Sequence, residues 1–205
     1  MSAWVGEIDG LYTVREGQGP ALLVMHGAIG IDHTHLRPWL APLTRHAEVI
    51  CYDSRGNGRS KLSGSRDAIS VDSLCAGVEN LRAALGLERM AILGHSGGAS
   101  IALDYARRYP HRVRGLVLVS GTPRLDYIES LMAELDRRGT PEQMAAVGRL
   151  MSGASFSDEE FREAWLRVLP LYYLTYAPAC QKAWDETLFL RAGVGSVSEQ
   201  HLPGP

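Results

Sequence analysis

A serine flanked by glycines is the residue of this sequence best suited to do chemistry. The stretch AILGHSGGASIAL, residues 91–103, places Ser96 between Gly94 and Gly98. The apolar run before it and the helical pattern after it predict a strand that turns sharply into a helix, with the serine at the apex. Small residues two positions away let strand and helix nearly touch there. We therefore predict that Ser96 is an exposed nucleophile; the alternative is a glycine-rich turn with no chemical role.

Main-chain N–H groups near the serine are predicted to form an oxyanion hole. The first N–H groups of the following helix carry partial positive charge and point at the apex. The N–H of Gly97 is therefore a candidate donor to the oxyanion that forms when Ser96 attacks a carbonyl. A second donor is expected in the loop after an earlier strand. That loop is HGAIG, residues 26–30, where Ala28 is the candidate; the alternative is that its glycines only make a turn.

A third motif, DSRGNGRS at residues 53–60, contains an acid, two arginines and two glycines. Its spacing matches no phosphate-loop pattern, so we favour a hydrogen-bonded loop that braces the wall of the site over phosphate binding. His33, His35 and His46 are interpreted as solvated or packing histidines. The first two are only two residues apart on a loop, which is weak evidence for a metal site.

Apolar runs typical of buried strands alternate with helical patterns as far as residue 120. Strands are predicted at residues 4–8, 11–16, 21–26, 48–53, 90–94 and 113–120, and helices at 71–85 and 99–109. Asp9-Gly10 is the expected two-residue turn of a hairpin between the first two strands. The alternation predicts an α/β fold, a mostly parallel sheet with helices on both faces.

After residue 120 the patterns are helical, at 125–138, 141–151 and 158–169. We interpret this part as a helical cap over the sheet. The expected division is a core at 1–123, a cap at 124–191 and a loose tail at 192–205. The tail is rich in small and turn-forming residues.

Composition indicates an ordinary globular protein. Of 205 residues, 45% are apolar and 21% charged, and the net charge of −2 gives no indication of nucleic acid or an anionic membrane as a partner. The start, MSAWVGEIDG, lacks the basic and apolar regions of a secretory signal, and no apolar run approaches the roughly 20 residues that span a bilayer. Three cysteines without metal-ligand spacing, Cys51, Cys75 and Cys180, are expected to be reduced and buried. We expect a cytoplasmic protein without cofactor or metal.

The three motifs, in this order, resemble the α/β-hydrolase superfamily, and most closely its proline iminopeptidase group. HGAIGIDHTHLRPWLAPL resembles that group's HGGPG segment, with Ala28-Ile29 where Gly-Pro is usual, and DSRGNGRS resembles its D-x-R-G-x-G-x-S loop. GHSGGASIALDYARRYPHRVRGLVLVSGTPR resembles its elbow, helix and next strand. The likeness covers residues 3 to about 125 and continues weakly through the cap. It implies Ser96 as nucleophile, Gly97 and Ala28 as oxyanion donors, and release of an N-terminal residue, often proline, through an acyl-enzyme.

The resemblance also implies acidic residues that hold the amino group of the substrate. We assign none, because surface charge explains each acidic candidate in the cap. These are Glu129, Glu134, Glu159, Glu160 and Glu163.

The acid and histidine that activate the serine follow two further strands in this fold. Each strand–helix–strand unit takes roughly 30 residues, whereas 14 residues follow Arg191. We therefore expect the C-terminal strands to be missing and the last strand to be uncovered. His111, just before a strand, is interpreted as structural, and Asp126 and Asp185 as helix-surface residues. His201 is the remaining candidate for the general base.

Three functions stay open. The first is a serine hydrolase that releases N-terminal residues from short peptides. The second is an esterase-type acyl hydrolase on the same scaffold. The third is a catalytically inactive, truncated hydrolase that binds a small molecule or a partner.

Overall fold

One sheet of six strands organises the described residues. The computed structural model describes residues 3–27, 30–60, 62, 69–121, 128–152 and 157–190. The strands are β1 (Trp4–Ile8), β2 (Leu11–Glu16), β3 (Ala21–Met25), β4 (Glu48–Tyr52), β5 (Met90–His95) and β6 (Val113–Val119). Their order across the sheet is β1-β2-β4-β3-β5-β6. The pairs β3–β4, β3–β5 and β5–β6 are parallel, whereas β2 is antiparallel to both neighbours. The predicted mostly parallel sheet is confirmed.

The hairpin between β1 and β2 turns where the sequence predicts. Asp9 and Gly10 both have positive φ, at 50° and 76°. Two central residues with positive φ are the requirement of a type I′ turn, which matches the twist of the flanking strands.

Seven α-helices lie within the described residues: α1 (Arg37–Leu40), α2 (Val71–Ala84), α3 (Gly97–Arg108), α4 (Ile128–Arg138), α5 (Pro141–Met151), α6 (Asp158–Val168) and α7 (Pro178–Trp184). Helix α3 begins two residues earlier than predicted, because the chain becomes helical directly after the bend at Ser96. Reciprocal hydrogen bonds between the N-cap residue and the residue three positions on begin α2, α5 and α6. Residues 125–127 of the helix predicted at 125–138 lie outside the described residues.

Alternating side chains of the central strands pack in opposite directions. Leu23, Ile50 and Ile92 share a buried cluster with side chains of α2 and α3. Their neighbours Val24 and Leu93 pack on the other face, against Leu36 and Leu40 around α1. Helices therefore cover both faces of the sheet, as the continuous apolar runs predict.

Strand β6 forms an edge of this sheet within the described residues. It pairs with β5, and its Val117, Leu118 and Val119 are 49%, 43% and 40% exposed. The described residues thus contain the uncovered apolar strand that the sequence predicts.

The helical segment after β6 packs onto the loop that follows β3. Phe161, Trp184 and Phe189 form a buried cluster with Ile31 of that loop. The N–H of Leu190 donates a hydrogen bond of 2.7 Å to the carbonyl of Gly30. These contacts bring a segment distant in sequence onto the carboxyl edge of the sheet. The division at residues 123 and 191 stays a prediction.

The three cysteines are free and buried, as predicted. Burial raises the pKa of both Cys51 and Cys75 to about 12. Neither thiol is therefore a nucleophile at neutral pH, since the thiolate is the reactive form. None of the helices in the described part of the chain has the length and apolar character needed to cross a membrane.

A substitution at Gly98 tests the close packing of α3 against the end of β3. A Cβ on Gly98 would collide with the backbone carbonyls of Met25 and His26. We expect Gly98→Ala to lower the free energy of unfolding by about 1–3 kcal/mol, as overpacking typically does. The control is Gly148→Ala in α5, where the added methyl meets open space and alanine favours the helix by about 1 kcal/mol. Urea denaturation followed by circular dichroism measures both; equal stability of the two variants would contradict the close approach.

Candidate active site

Ser96 lies in the bend between β5 and α3, with φ of 54° and ψ of −122°. Few residues other than glycine adopt such a backbone, which costs on the order of 1–3 kcal/mol. The bend is fixed by main-chain hydrogen bonds: Ser96 N–H donates to Val119 O at 2.9 Å, and Ala99 N–H donates to Ser96 O at 2.9 Å. The predicted sharp turn with serine at its apex is therefore present in the structure.

Two glycines let the bend close. A Cβ on Gly94 would lie 2.6 Å from Ala99 Cα and 2.7 Å from Gly98 O. A Cβ on Gly98 would collide with the end of β3. Because each position is crowded by backbone rather than by flexible side chains, any larger residue would push α3 away from the sheet.

A third glycine brings the loop after β3 against the serine. A Cβ on Gly27 would lie 2.7 Å from Ser96 Cβ and 2.8 Å from His95 O. Gly27 is thus next to the apex, at the start of the loop in which the sequence predicts the second oxyanion donor. Ala28 itself lies outside the described residues.

Gly97 is the first residue of α3, a helix of 12 residues. The N–H groups of the first turn of a helix have no partner within the helix and carry partial positive charge. The position of Gly97 beside the apex therefore suits its predicted role as oxyanion donor.

Ser96 lines a cavity of about 930 Å³. Its walls are largely aromatic and aliphatic, and its described lining includes no aspartate or glutamate. The aromatic lining residues come from α1 and from the helical segment after β6: Trp39, Trp165, Tyr172, Tyr173 and Trp184. The polar lining side chains are His35, His95, Ser96, Ser100 and Ser120. The cavity thus suits an uncharged, largely apolar ligand.

Histidine 35 is part of that wall. Its ring stacks on Trp184 with centroids 4.3 Å apart and meets His95 edge-on at 5.9 Å. The side chain is buried, and its Nδ1 lies 2.9 Å from the carbonyl oxygen of Asp32. Burial, followed by the nearby His26 and His95, lowers the pKa of His35 well below its usual value. The imidazole is therefore neutral at pH 7.

Two neighbouring histidines are also held neutral. Burial lowers the pKa of His26, whose Nε2 accepts a hydrogen bond from Ser54 N–H at 2.9 Å. This bond ties the loop after β3 to the loop after β4. Burial and His26 lower the pKa of His95, next to the nucleophile candidate. Burial thus favours the neutral forms of His26, His35 and His95.

The loop 53–60 braces this wall, as predicted. The Asp53 carboxylate accepts hydrogen bonds from His33 Nδ1 at 2.5 Å and from Arg59 N–H at 2.8 Å. Burial acts to raise the pKa of Asp53, but the hydrogen bond and charge of His33 outweigh it and lower the pKa. Asn57 Oδ1 accepts a bond of 2.6 Å from Gly30 N–H. The loop thereby holds the segment that carries His35.

Arg59 also stabilises the loop 53–60 through its side chain. Its guanidinium lies 2.8 Å from the carboxylate of Asp32 and over the ring of Tyr12 at 4.9 Å. Both carboxylates of this network are fully buried, and neither belongs to the described lining of the cavity. These contacts give the loop a structural role.

The structure separates the remaining candidates from the cavity. The five cap glutamates are exposed, as are His46, His111 and Asp185, and none lines the cavity. Their exposure agrees with their interpretation as surface residues. His201 and Asp126 lie outside the described residues.

The sequence analysis does not identify four polar lining residues as site residues: His35, His95, Ser100 and Ser120. Ser100 follows Ser96 by four positions and so shares its helix face. Ser120 directly follows β6, the strand parallel to β5, at the same sheet edge, and has a positive φ of 50°. His35 was interpreted as solvated or packing, yet it packs and also lines the cavity.

The strain at Ser96 predicts opposite effects of glycine at two nearby positions. Ser96→Gly should be more stable than Ser96→Ala by about 1 kcal/mol, because relief of the strained backbone exceeds the entropy cost of glycine. At Ser100, within α3, glycine should instead be less stable than alanine by about 1 kcal/mol. Chemical denaturation of the four variants measures both differences. Glycine that destabilises at both positions would contradict the strained apex.

Because the buried histidines are neutral, the stability of the folded chain should decrease in acid. Below pH 6.5 the unfolded chain binds more protons than the folded chain, so the free energy of unfolding should fall as pH decreases. His35→Phe preserves the stack on Trp184 and should reduce this slope by up to about 1.4 kcal/mol per pH unit. Urea denaturation between about pH 6.5 and about pH 5, below the usual histidine pKa, measures the slope. Leu40→Ala, a core variant without a titrating group, should keep the wild-type slope; an unchanged slope in His35→Phe would contradict the neutral imidazole.

Comparison with known proteins agrees with this geometry. A family model of the alpha/beta hydrolase fold matches residues 20–188. A proline iminopeptidase of Saccharolobus solfataricus is 31% identical over 156 residues, which are 75% of this chain and 50% of the relative. The chain spans about half the length of the curated relatives it matches.

Solved structures give the same result. A proline iminopeptidase-related protein of Thermus thermophilus has a TM-score of 0.56 and 30% identity, covering 82% of this chain and 72% of that one. A bacterial membrane phospholipase A has a TM-score of 0.61 and 25% identity, covering 89% of this chain and 56% of that one. With its elbow, its mostly parallel sheet and the match to the family model, this chain belongs to the alpha/beta hydrolase family and is similar to its proline iminopeptidase members.

Proposed function

We propose that this chain is a serine hydrolase in which Ser96 attacks the carbonyl carbon of an ester or amide. The observation that carries the proposal is the strained bend that presents Ser96 at the wall of an apolar cavity, next to the N-terminus of α3. Attack forms the bond from Ser96 Oγ to the carbonyl carbon, and the carbonyl oxygen becomes an oxyanion. Gly97 N–H, with Ala28 N–H as second donor, stabilises that charge.

Collapse of the tetrahedral intermediate breaks the bond to the leaving group and leaves an acyl-enzyme, which water then hydrolyses. The hydroxyl proton must pass to a base, because a neutral serine is a weak nucleophile. Among the described residues, no histidine or carboxylate hydrogen-bonds to Ser96 Oγ. His201, from the sequence analysis, remains the candidate base.

Two substrate classes are compatible with this chemistry. Peptides with N-terminal proline are favoured by the similarity to proline iminopeptidases, and aromatic walls suit a pyrrolidine ring. Neutral acyl esters are favoured by the cavity lining, in which the described residues contribute no carboxylate. A buried ammonium group without a carboxylate partner is costly, so the lining favours the ester.

A fluorophosphonate probe tests the nucleophile. We expect the wild-type chain to be labelled and Ser96→Ala to lose labelling completely, because the probe reacts with an activated serine. Ser100→Ala is the matched control, since Ser100 lines the same cavity, and should remain labelled. Intact-mass spectrometry measures the adduct. No adduct on the folded wild-type chain, or an adduct on Ser96→Ala, would contradict the proposal and favour a binding role.

A substrate panel separates the two classes. p-Nitrophenyl butyrate represents neutral esters, and proline p-nitroanilide represents N-terminal proline. We expect Ser96-dependent release of nitrophenol to exceed release of nitroaniline in kcat/KM. Faster release from the proline compound would instead assign the chain to N-terminal proline cleavage.

A further inference from the structure

Two histidines that line the cavity, His35 and His95, each have a buried ring nitrogen that has no partner among the described residues and that the proposed chemistry does not use. His35 is 3% exposed, and its Nε2 has no hydrogen-bond partner among the described residues. The residue lines the same cavity as Ser96. Buried polar atoms in native proteins are nearly always hydrogen-bonded, so an unpartnered one calls for a specific explanation.

The tautomer of His35 follows from its surroundings. Nδ1 lies 2.9 Å from the backbone carbonyl oxygen of Asp32. A carbonyl oxygen can only accept, so Nδ1 must carry the hydrogen and donate it. In a neutral imidazole the other nitrogen then has a lone pair and no hydrogen. Nε2 is therefore an acceptor only.

The neighbours of His35 fix its orientation without satisfying that acceptor. Trp184 stacks on its ring at 4.3 Å, with the two planes 17° apart. His95 meets the ring edge-on at 5.9 Å and has its own unpartnered buried nitrogen, Nδ1. The loop 53–60, through Asp53 and Arg59, holds the segment 32–35 that precedes and includes this ring. The acceptor is thus held in a rigid position in the wall.

We propose that His35 is a substrate-binding residue whose Nε2 accepts a hydrogen bond from an uncharged hydroxyl or amide N–H group on the acyl part of the substrate. The proposal rests on the proposed function, because it takes the cavity beside Ser96 as the acyl site. A neutral donor fits better than an ammonium group, since no carboxylate lies in the described lining to balance a charge. The cavity selects acyl groups that combine an apolar body with one donor.

His35 is a binding residue rather than a base in this assignment. No hydrogen bond joins its Nε2 to Ser96. Burial lowers its pKa well below the usual histidine value, which makes the nitrogen a poor proton acceptor but leaves it able to accept a hydrogen bond.

Binding to Ser96→Ala, which lacks the nucleophile, tests the proposal without catalysis. The probes are ethyl 3-phenylpropanoate and its 2-hydroxy derivative, which differ by one hydroxyl group. We expect the hydroxy ester to bind about three- to tenfold more tightly in calorimetric titrations, the range that one neutral hydrogen bond supplies. The preference should vanish in Ser96→Ala/His35→Phe, which keeps the stacked ring, and return in part in Ser96→Ala/His35→Gln, which restores an acceptor.

Nitrogen-15 NMR of histidine-labelled protein reports on the atom itself. In free Ser96→Ala, the Nε2 of His35 should show the shift of an unprotonated ring nitrogen, and it should move toward the hydrogen-bonded position with the hydroxy ester only. Ser96→Ala/Trp39→Phe changes an apolar lining residue and should keep the preference. Equal affinity of the two esters, a preference that survives His35→Phe, failure of both esters to bind, or a protonated Nε2 would overturn the proposal.

The experiments distinguish failure of the serine hydrolase proposal from failure of the His35 binding proposal. Fluorophosphonate labelling of the wild-type chain without a hydroxyl preference would leave the serine hydrolase and remove the role of His35. A hydroxyl preference that depends on His35, without labelling, would keep the binding site and remove the hydrolase.

Discussion

The approach of three backbone segments at the carboxyl edge of the sheet is the constraint on which the site depends. The loop after β3, the bend at Ser96 and the first turn of α3 pack so closely that Gly27, Gly94 and Gly98 have no room for a side chain. Glycine at these positions costs conformational entropy, and Ser96 itself has a strained φ of 54°. Both costs are offset by the cores on the two faces of the sheet. The result is a serine that cannot relax away from the first N–H of a helix.

Charge is arranged to leave the cavity neutral. At the loop 53–60, the guanidinium of Arg59 pairs with the buried carboxylate of Asp32, and the N–H of Arg59 donates to the buried carboxylate of Asp53. Each charge therefore has a partner outside the cavity lining. The histidines nearest the serine have lowered pKa values because they are buried. Electrostatic interactions are stronger in a site of low dielectric constant, lined by apolar side chains, than in water. In the proposed reaction, a developing oxyanion would interact mainly with the main-chain dipoles at the start of α3.

Local patterns in the sequence predict the elements well and the cavity poorly. Continuous apolar runs and the Asp9-Gly10 turn place all six strands within a residue of their bounds, since burial on both faces leaves a signal in each run. The stack of His35 on Trp184 joins residues 149 positions apart. No local pattern encodes such a pairing, because it depends on how the helical segment after β6 packs on Ile31. The position of Gly97 at the start of α3, directly after Ser96, could be predicted because it follows from neighbours in sequence alone.

The central claim is that Ser96 is a nucleophile at a fixed bend, with main-chain donors around the atom that becomes an oxyanion. A crystal structure of the chain after reaction with a fluorophosphonate tests it most directly. We predict phosphorus bonded to Ser96 Oγ, a positive φ at Ser96, and a phosphoryl oxygen about 2.7–3.1 Å from the N–H nitrogen of Gly97. Phosphorus on any other residue, or a phosphoryl oxygen directed away from the start of α3, would contradict it.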